Sequence, residues 1–320
     1  MATFRASLPQ LADAIFLTDG GIETTLIYHE GLDLPDFAAF VLLSDESGRD
    51  ALRMYFRRYA AIARDAGCGF VLEAPTWRAN PDWAERLGYS PDLLDAANRA
   101  AIELMVELRR DFETPGSPMV ISGCVGPRSD GYRPSELMSP TEAQRYHATQ
   151  IGTFSRTEAD LVTAVTMTHS AEAIGVTRAA AEHGMPVVIS FTVETDGSLP
   201  SGEALGAAIE AVDDETGAAP AYFMINCAHP THFADTLRLG GDWVARVRGL
   251  RANASTMSHA ELDEAEELDA GDPADLAARY AELRSEFAHL SVLGGCCGTD
   301  HRHVEAIRMA CLPDGAGAAL

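Results

Sequence analysis

The stretch "AYFMINCAHP", Ala221 to Pro230, decides how the chain is read. Its apolar run, Tyr222 to Ile225, is unbroken, stops at an asparagine and closes on a proline. A strand with one face in water alternates apolar and polar side chains. A run without alternation fits a strand buried on both faces of a parallel sheet. The same form recurs in "AIFLTDGG", "GFVLEAP", "PMVISGCVGP", "DLVTAVTMT", "MPVVISFTV", "VRGLRANAS" and "HLSVLGGCCG". Most of these end in Gly, Pro, Asn or Thr, as a strand running into a loop does.

Between the runs lie segments with helical spacing: "DALRMYFRRYAAIARDAG", "SPDLLDAANRAAIELMVELRRDF", "SPTEAQRYHATQIGTFSRTEA", "SAEAIGVTRAAAEHG", "SGEALGAAIEAV" and "DPADLAARYAELRSEF". Eight strands alternating with helices in 320 residues predict a single (β/α)8 TIM barrel spanning residues 1–320. An open doubly wound sheet is the competing α/β architecture, but no strand is followed by GxGxxG. No linker divides the chain. The acidic run Glu261 to Asp275 is expected to form an exposed loop and the start of a helix. The tail "LPDGAGAAL", about residues 312–320, is expected to be flexible.

Composition narrows the function. Hydrophobic residues make up 47%, enough for a large core. The formal charge of -24, from 24 basic and 48 acidic residues, disfavours nucleic acid and anionic membrane as partners. No apolar run is long enough to span a bilayer, and the N-terminus lacks the pattern of a secretory signal. A cytoplasmic protein is expected. Every basic residue is arginine, so Schiff-base chemistry, pyridoxal phosphate and a Walker P-loop are excluded. Nothing in the sequence sets an oligomeric state.

The cysteines are Cys68, Cys124, Cys227, Cys296, Cys297 and Cys311. In a reducing compartment these are metal ligands, nucleophiles or core fillers rather than disulfides. Function in a barrel gathers at the carboxyl ends of the strands. Cys227 ends the sixth run, and Cys296 and Cys297 end the eighth. Those strand tips are expected roughly 10 Å apart at about 4.8 Å per strand, close enough for their thiols to meet at one metal. Adjacent strand residues point to opposite faces, so two neighbouring thiols converge only where the backbone turns. Gly294, Gly295 and Gly298 are expected to permit that turn.

Three thiolates on Zn2+ leave a charge of -1 and one open position. Such a site activates water poorly but suits a substrate thiolate, which points to alkyl transfer onto a thiol. Two alternatives stay open: a zinc or redox-sensing barrel protein without methyl transfer, and a metal-assisted lyase or hydrolase. The latter needs His or carboxylate ligands. Cys68, Cys124 and Cys311 read as packing residues, although Cys124 also lies near a strand end. His169 and His229, near strand ends, read as loop histidines.

The segments "LGGCCGTD", "INC" and "TDGGIETTL" together resemble the homocysteine S-methyltransferase family, and "GCVGP" and "RANAS" extend the likeness from about Leu17 to Ile307. The resemblance implies a (β/α)8 barrel with zinc held by Cys227, Cys296 and Cys297. It also implies that a thiol acceptor takes the fourth position and attacks a methyl group on a sulfonium, ammonium or folate donor. Asp19 matches the family aspartate that helps bind the substrate ammonium, and Asn226 matches an asparagine that orients the loop or a ligand. Val165 stands where the family carries the glutamate that grips the amino group of homocysteine. Either the acceptor lacks that amine or another acid serves instead. Glu73 is the candidate acid; its alternative role is to pair with a neighbouring arginine. At 320 residues, added cobalamin and folate domains are not expected beside this barrel, which favours a free small-molecule donor such as S-methylmethionine or S-adenosylmethionine.

Overall fold

The computed structural model describes residues 1–12, 14–132, 137–265 and 267–312. Eight parallel strands close into one barrel in chain order: β1 (Phe16–Leu17), β2 (Gly69–Glu73), β3 (Met119–Val125), β4 (Leu161–Met167), β5 (Val187–Phe191), β6 (Tyr222–Asn226), β7 (Val247–Ala252) and β8 (Val292–Gly295). Strand β8 returns to β1 through the pairs Phe16↔Val292 and Leu17↔Leu293. Every apolar run read from the sequence is a strand of this barrel, and closure removes the open-sheet alternative.

The outer helices are α1 (Glu46–Ala66), α2 (Pro81–Arg86), α3 (Pro91–Phe112), α4 (Pro140–Ser155), α5 (Ser170–Glu182), α6 (Leu205–Thr216), α7 (Pro230–Leu239), α8 (His259–Glu264), α9 (Pro273–Glu286) and α10 (His301–Cys311). Their starts are written locally. Asp45, Ser90 and Ser139 accept hydrogen bonds from the backbone N–H groups of Gly48, Leu93 and Glu142, and proline opens α2, α3, α4, α7 and α9. These side chains satisfy donors that a helix start leaves unpaired. Helix α6 starts at Leu205, later than its sequence run, because the preceding residues form a turn bridged by Ser198 and Ala204.

The barrel interior is layered along its axis. The lower layer is apolar, with Phe16, Val71, Val120, Leu161, Val188, Tyr222 and Val292 in one buried cluster. Two residues further along β3, β4 and β5, and four further along β6, the layer turns polar. Ser122 Oγ lies 2.7 Å from Thr163 Oγ1, and Ser190 Oγ donates to Asn226 Oδ1 at 2.6 Å. The period of two places these groups on the same inward face. The N-terminal segment seals the bottom: Leu8 joins the apolar cluster, Phe4 N–H donates to Asp160 Oδ1 at 2.7 Å, and Arg5 binds the carbonyls of Ser155, Thr157 and Ala159.

Two expectations change. The acidic run Glu261 to Asp275 begins inside α8 rather than in a loop, and its Leu262, Ala265 and Leu268 face the cavity at the barrel mouth. Of the tail expected to be flexible, Leu312 packs into the core, and residues 313–320 lie outside the described residues. No helix among the described residues is long and apolar enough to cross a membrane.

Candidate metal centre and substrate cavity

The carboxyl end of the barrel opens into a cavity of about 290 Å³. Cys227 is the first residue past β6 and Cys296 the first past β8. Their Cα atoms are 5.4 Å apart, closer than strand tips would be, because both chains bend inward beyond the sheet. Cys227 holds φ at 53°, a left-handed conformation unfavourable for a residue with a Cβ. It is pinned from both sides: its N–H donates to Arg251 O at 3.1 Å, and its carbonyl meets His259 Nε2 at 2.6 Å.

Past β8 the backbone turns between Cys296 and Thr299, where the Thr299 N–H reaches the Cys296 carbonyl at 3.1 Å. Of the three glycines expected to make this turn, Gly298 carries the positive φ, 78°. Gly294 and Gly295 act differently. A Cβ on Gly294 would sit 1.9 Å from Thr18 Oγ1, and one on Gly295 would sit 2.1 Å from Thr299 Oγ1. They allow close approach rather than an unusual dihedral.

The turn brings three sulfurs together, all within 4.8 Å of one another. Cys227 Sγ lies 3.7 Å from Cys297 Sγ, and Cys227 Sγ and Cys296 Sγ are in bonding contact, so the same residues also make a disulfide pair. Tetrahedral thiolates on zinc at ~2.3 Å stand about 3.8 Å apart, which matches the Cys227–Cys297 spacing. Burial pushes the Cys297 thiol up to about 11. The spacing of the sulfurs fits a metal ion. The Tyr132 hydroxyl borders the cluster, 3.4 Å from Cys227 Sγ and 3.5 Å from Cys297 Sγ, and its ring lies against His259 at 4.2 Å between centroids.

Beside the sulfurs lies a buried charge network. Arg251 from β7 donates to Asp19 Oδ1 at 2.6 Å, to Gly295 O at 3.2 Å and to Glu73 Oε2 at 3.4 Å. The second Asp19 oxygen accepts from the Tyr55 hydroxyl at 2.8 Å. Burial pulls Arg251 downward, but Asp19 and Glu73 outweigh it and hold the guanidinium above its ordinary range. Burial raises Glu73 to about 7 against the pull of Arg251, and Glu73 Oε1 has no hydrogen-bond partner. Asp19 and Glu73 both reach the cavity wall, and both are engaged by one arginine.

Val165 lines the cavity where the register of β4 against β5 shifts, between Ala164 and Met167. Thr166 there holds φ at 63°. Asn226 braces this bulge: its Oδ1 accepts from Thr166 N–H at 2.9 Å and its Nδ2 donates to Thr166 Oγ1 at 2.9 Å. Bulges of this kind re-aim side chains next to active sites.

The remaining candidates fall elsewhere. His169 packs near Glu172, 3.8 Å away, and His229 caps α7; neither lines the cavity. Burial first, then Arg279, lowers His229 to about 4, so it is neutral. Cys68 and Cys311 are core residues. Cys124 lines the cavity from β3, but burial holds its thiol protonated. Sequence reasoning missed Arg251, His259, Tyr132 and Glu23, all of which border the cavity. Two of them lay in segments already singled out, Glu23 inside "TDGGIETTL" and Arg251 at the head of "RANAS".

A closed parallel barrel with three thiols converging at its carboxyl mouth defines a (β/α)8 barrel with a sulfur-lined mouth. The chain belongs to the homocysteine S-methyltransferase family, whose model matches residues 16–311. It is 26% identical over 320 residues to a methionine synthase of Mycobacterium leprae, an alignment covering 95% of this chain and 25% of that protein. The chain thus spans about a quarter of the length of that relative. Its fold is that of the Escherichia coli homocysteine methyltransferase MmuM. The oxidised form superimposes with a TM-score of 0.71 at 18% identity over 94% of this chain and 97% of that one. The metallated form gives 0.71 at 17% identity over 95% and 98%.

Proposed function

We propose that the protein moves a methyl group from a small onium-type donor to a thiol acceptor, homocysteine or a related thiol, with zinc at Cys227, Cys296 and Cys297. The observation that carries this reading is the three-sulfur cluster set into the wall of a substrate-sized cavity. Bound zinc supplies the positive charge that keeps buried thiols ionised at neutral pH. The acceptor sulfur, as thiolate, attacks the methyl carbon in line with the donor bond. An S–C bond forms, the donor heteroatom–methyl bond breaks, and its electron pair leaves with the donor, which becomes neutral. The thiol proton goes to solvent.

The protein residues hold this geometry. Asn226 fixes the bulge that carries Val165 and Thr166. Arg251, with Asp19 and Glu73, forms the charged floor of the acceptor site. His259 holds the Cys227 carbonyl, and Tyr132 shields two sulfurs from water. We place the enzyme in the cytoplasm, where reducing conditions keep the Cys227–Cys296 pair open for metal, and read residues 1–320 as one catalytic barrel.

The test is a screen of several thiols crossed with several donors, using reduced protein with zinc present. Methylated thiol is expected with at least one pair. The metal is expected at about one per chain, as in sites with three protein ligands. Cys296→Ser and Cys297→Ser should each remove most of it while circular dichroism stays unchanged. Full metal occupancy in the double variant would sink the ligand assignment, and no methylated product from any pair would sink the activity.

A further inference from the structure

The acids around the barrel side of the cavity differ in one respect. Asp19 has both oxygens engaged, by Arg251 and Tyr55. Glu73 gives one oxygen to Arg251 and leaves Oε1 buried without a partner. No other side chain among the described residues bonds or pairs with Glu23, whose carboxylate is met by its own backbone N–H and feels the charge of Arg78, yet it lines the cavity and is partly buried. It stands just past Gly20 and Gly21, at the head of the helical turn Thr24–His29. It lines the same cavity as Cys227, Cys296 and Cys297.

We propose that Glu23 takes the positive group of a substrate, the role that Val165 leaves unfilled, with Glu73 Oε1 as a second acceptor. A carboxylate in a buried wall is unfavourable without a counter-charge. Burial accordingly pushes both Glu23 and Glu73 above the ordinary carboxylate range. A substrate cation in the cavity supplies the counter-charge that such a wall lacks. Neither resident arginine is free for this need: Arg251 is committed to Asp19, Glu73 Oε2 and the Gly295 carbonyl, and Arg78, whose charge reaches Glu23, donates to Ser129 O and pairs with Asp130.

This inference rests on the methyl-transfer reading, in which two substrates bring a positive charge: the ammonium of an amino-acid thiol and the onium centre of the donor. Both are cations, and matched ligand pairs separate them. Methionine and 4-(methylthio)butanoate differ by the ammonium alone. Dimethylsulfoniopropionate and 4-methylpentanoate differ by sulfonium against carbon. Each is titrated by calorimetry into the reduced, zinc-loaded protein and into Glu23→Gln and Glu23→Asp.

Glu23→Gln is expected to weaken at least one charged ligand by roughly ten- to a hundredfold, as loss of a charged contact does, and to leave its uncharged twin within about twofold. Glu23→Asp, which keeps the charge, should recover part of the loss. Loss confined to methionine assigns the acceptor ammonium, and loss confined to the sulfonium assigns the donor. Equal weakening of charged and uncharged twins, or no weakening of either cation, overturns the proposal. Metal content measured on the same samples shows whether the variant is intact. If the wild type methylates no thiol, the functional reading fails separately, and the paired titrations still decide the role of Glu23.

Discussion

Arg251 is the residue on which the electrostatics of the mouth turns. It neutralises two buried carboxylates that would otherwise face a low-dielectric wall. Removing one partner of a buried ionic set costs about 3–5 kcal/mol, because the charges left behind are uncompensated. Arg251→Met should therefore lower stability by that order at pH 8, measured by urea unfolding. The deficit should shrink toward pH 5, where protonation of Asp19 and Glu73 removes the stranded charge. Glu73 has its own pH signature. Its folded value, about 7, lies above the usual 4.5, so the folded state binds the proton more tightly. Its contribution is full below about 4.5 and is lost as pH rises through about 7. Glu73→Gln should flatten the fall in stability across that window, and an unchanged profile would assign the fall to other groups. The sequence left Glu73 between an ammonium contact and an arginine partner, and the fold supplies the arginine. Arg251 itself was not legible: in "VRGLRANAS" it reads as one of two arginines on a strand. Only barrel closure shows that Arg251 turns inward while Arg248 reaches the outer carbonyl of Ala12.

Elements were legible in proportion to how local their causes are. Strand runs and the glycine end of α1 are written in adjacent residues and form where the sequence placed them, whereas α6 starts late in its run. The β4 bulge was not legible, since "DLVTAVTMT" is regular as text. Its irregularity is imposed by Asn226, 60 positions away from Thr166. The turn after β8 lies between these cases. Its glycines were visible, but their separate roles were not. Gly298 holds φ at 78°, and an added Cβ would meet Asp269 O at 2.7 Å and Ala254 Cβ at 3.0 Å. Gly298→Ala should combine left-handed strain of about 1–2 kcal/mol with a steric push on Cys297. Thermal melting should register the first, and competition with a chromogenic zinc chelator the second. Gly88→Ala is the control, because Gly88 has φ of 77° and open space around its Cβ position. It should lower the melting temperature and leave metal affinity alone. If both variants bind metal like the wild type, the turn does not aim Cys297.

For the whole molecule, eight repeats of one pattern were enough to predict closure, because parallel strands buried on both faces need a helix layer around them. The N-terminal plug was invisible. "ATFRASLPQ" has no period, and its anchors are carbonyls near the end of α4 that the sequence does not associate with it. Net charge is the property of the whole chain that composition states outright. With 48 acidic against 24 basic residues, the folded surface repels itself and attracts cations. Screening weakens both effects, since the Debye length falls from about 30 Å at 0.01 M salt to about 3 Å at 1 M. Raising potassium chloride over that range should therefore raise the melting temperature, by relieving self-repulsion in the compact state. The same titration should raise the KM of a cationic donor, because the negative field that concentrates it at the mouth is screened. An uncharged thiol should show a KM nearly independent of salt. Chloride is the anion to use, because sulfate would strengthen apolar burial and mimic the stability effect. A melting temperature that falls or stays level with potassium chloride would show that the surface ion pairs, which salt weakens, outweigh the repulsion. A donor KM that ignores salt would place the useful field inside the cavity, at Glu23 and Glu73, where screening does not reach.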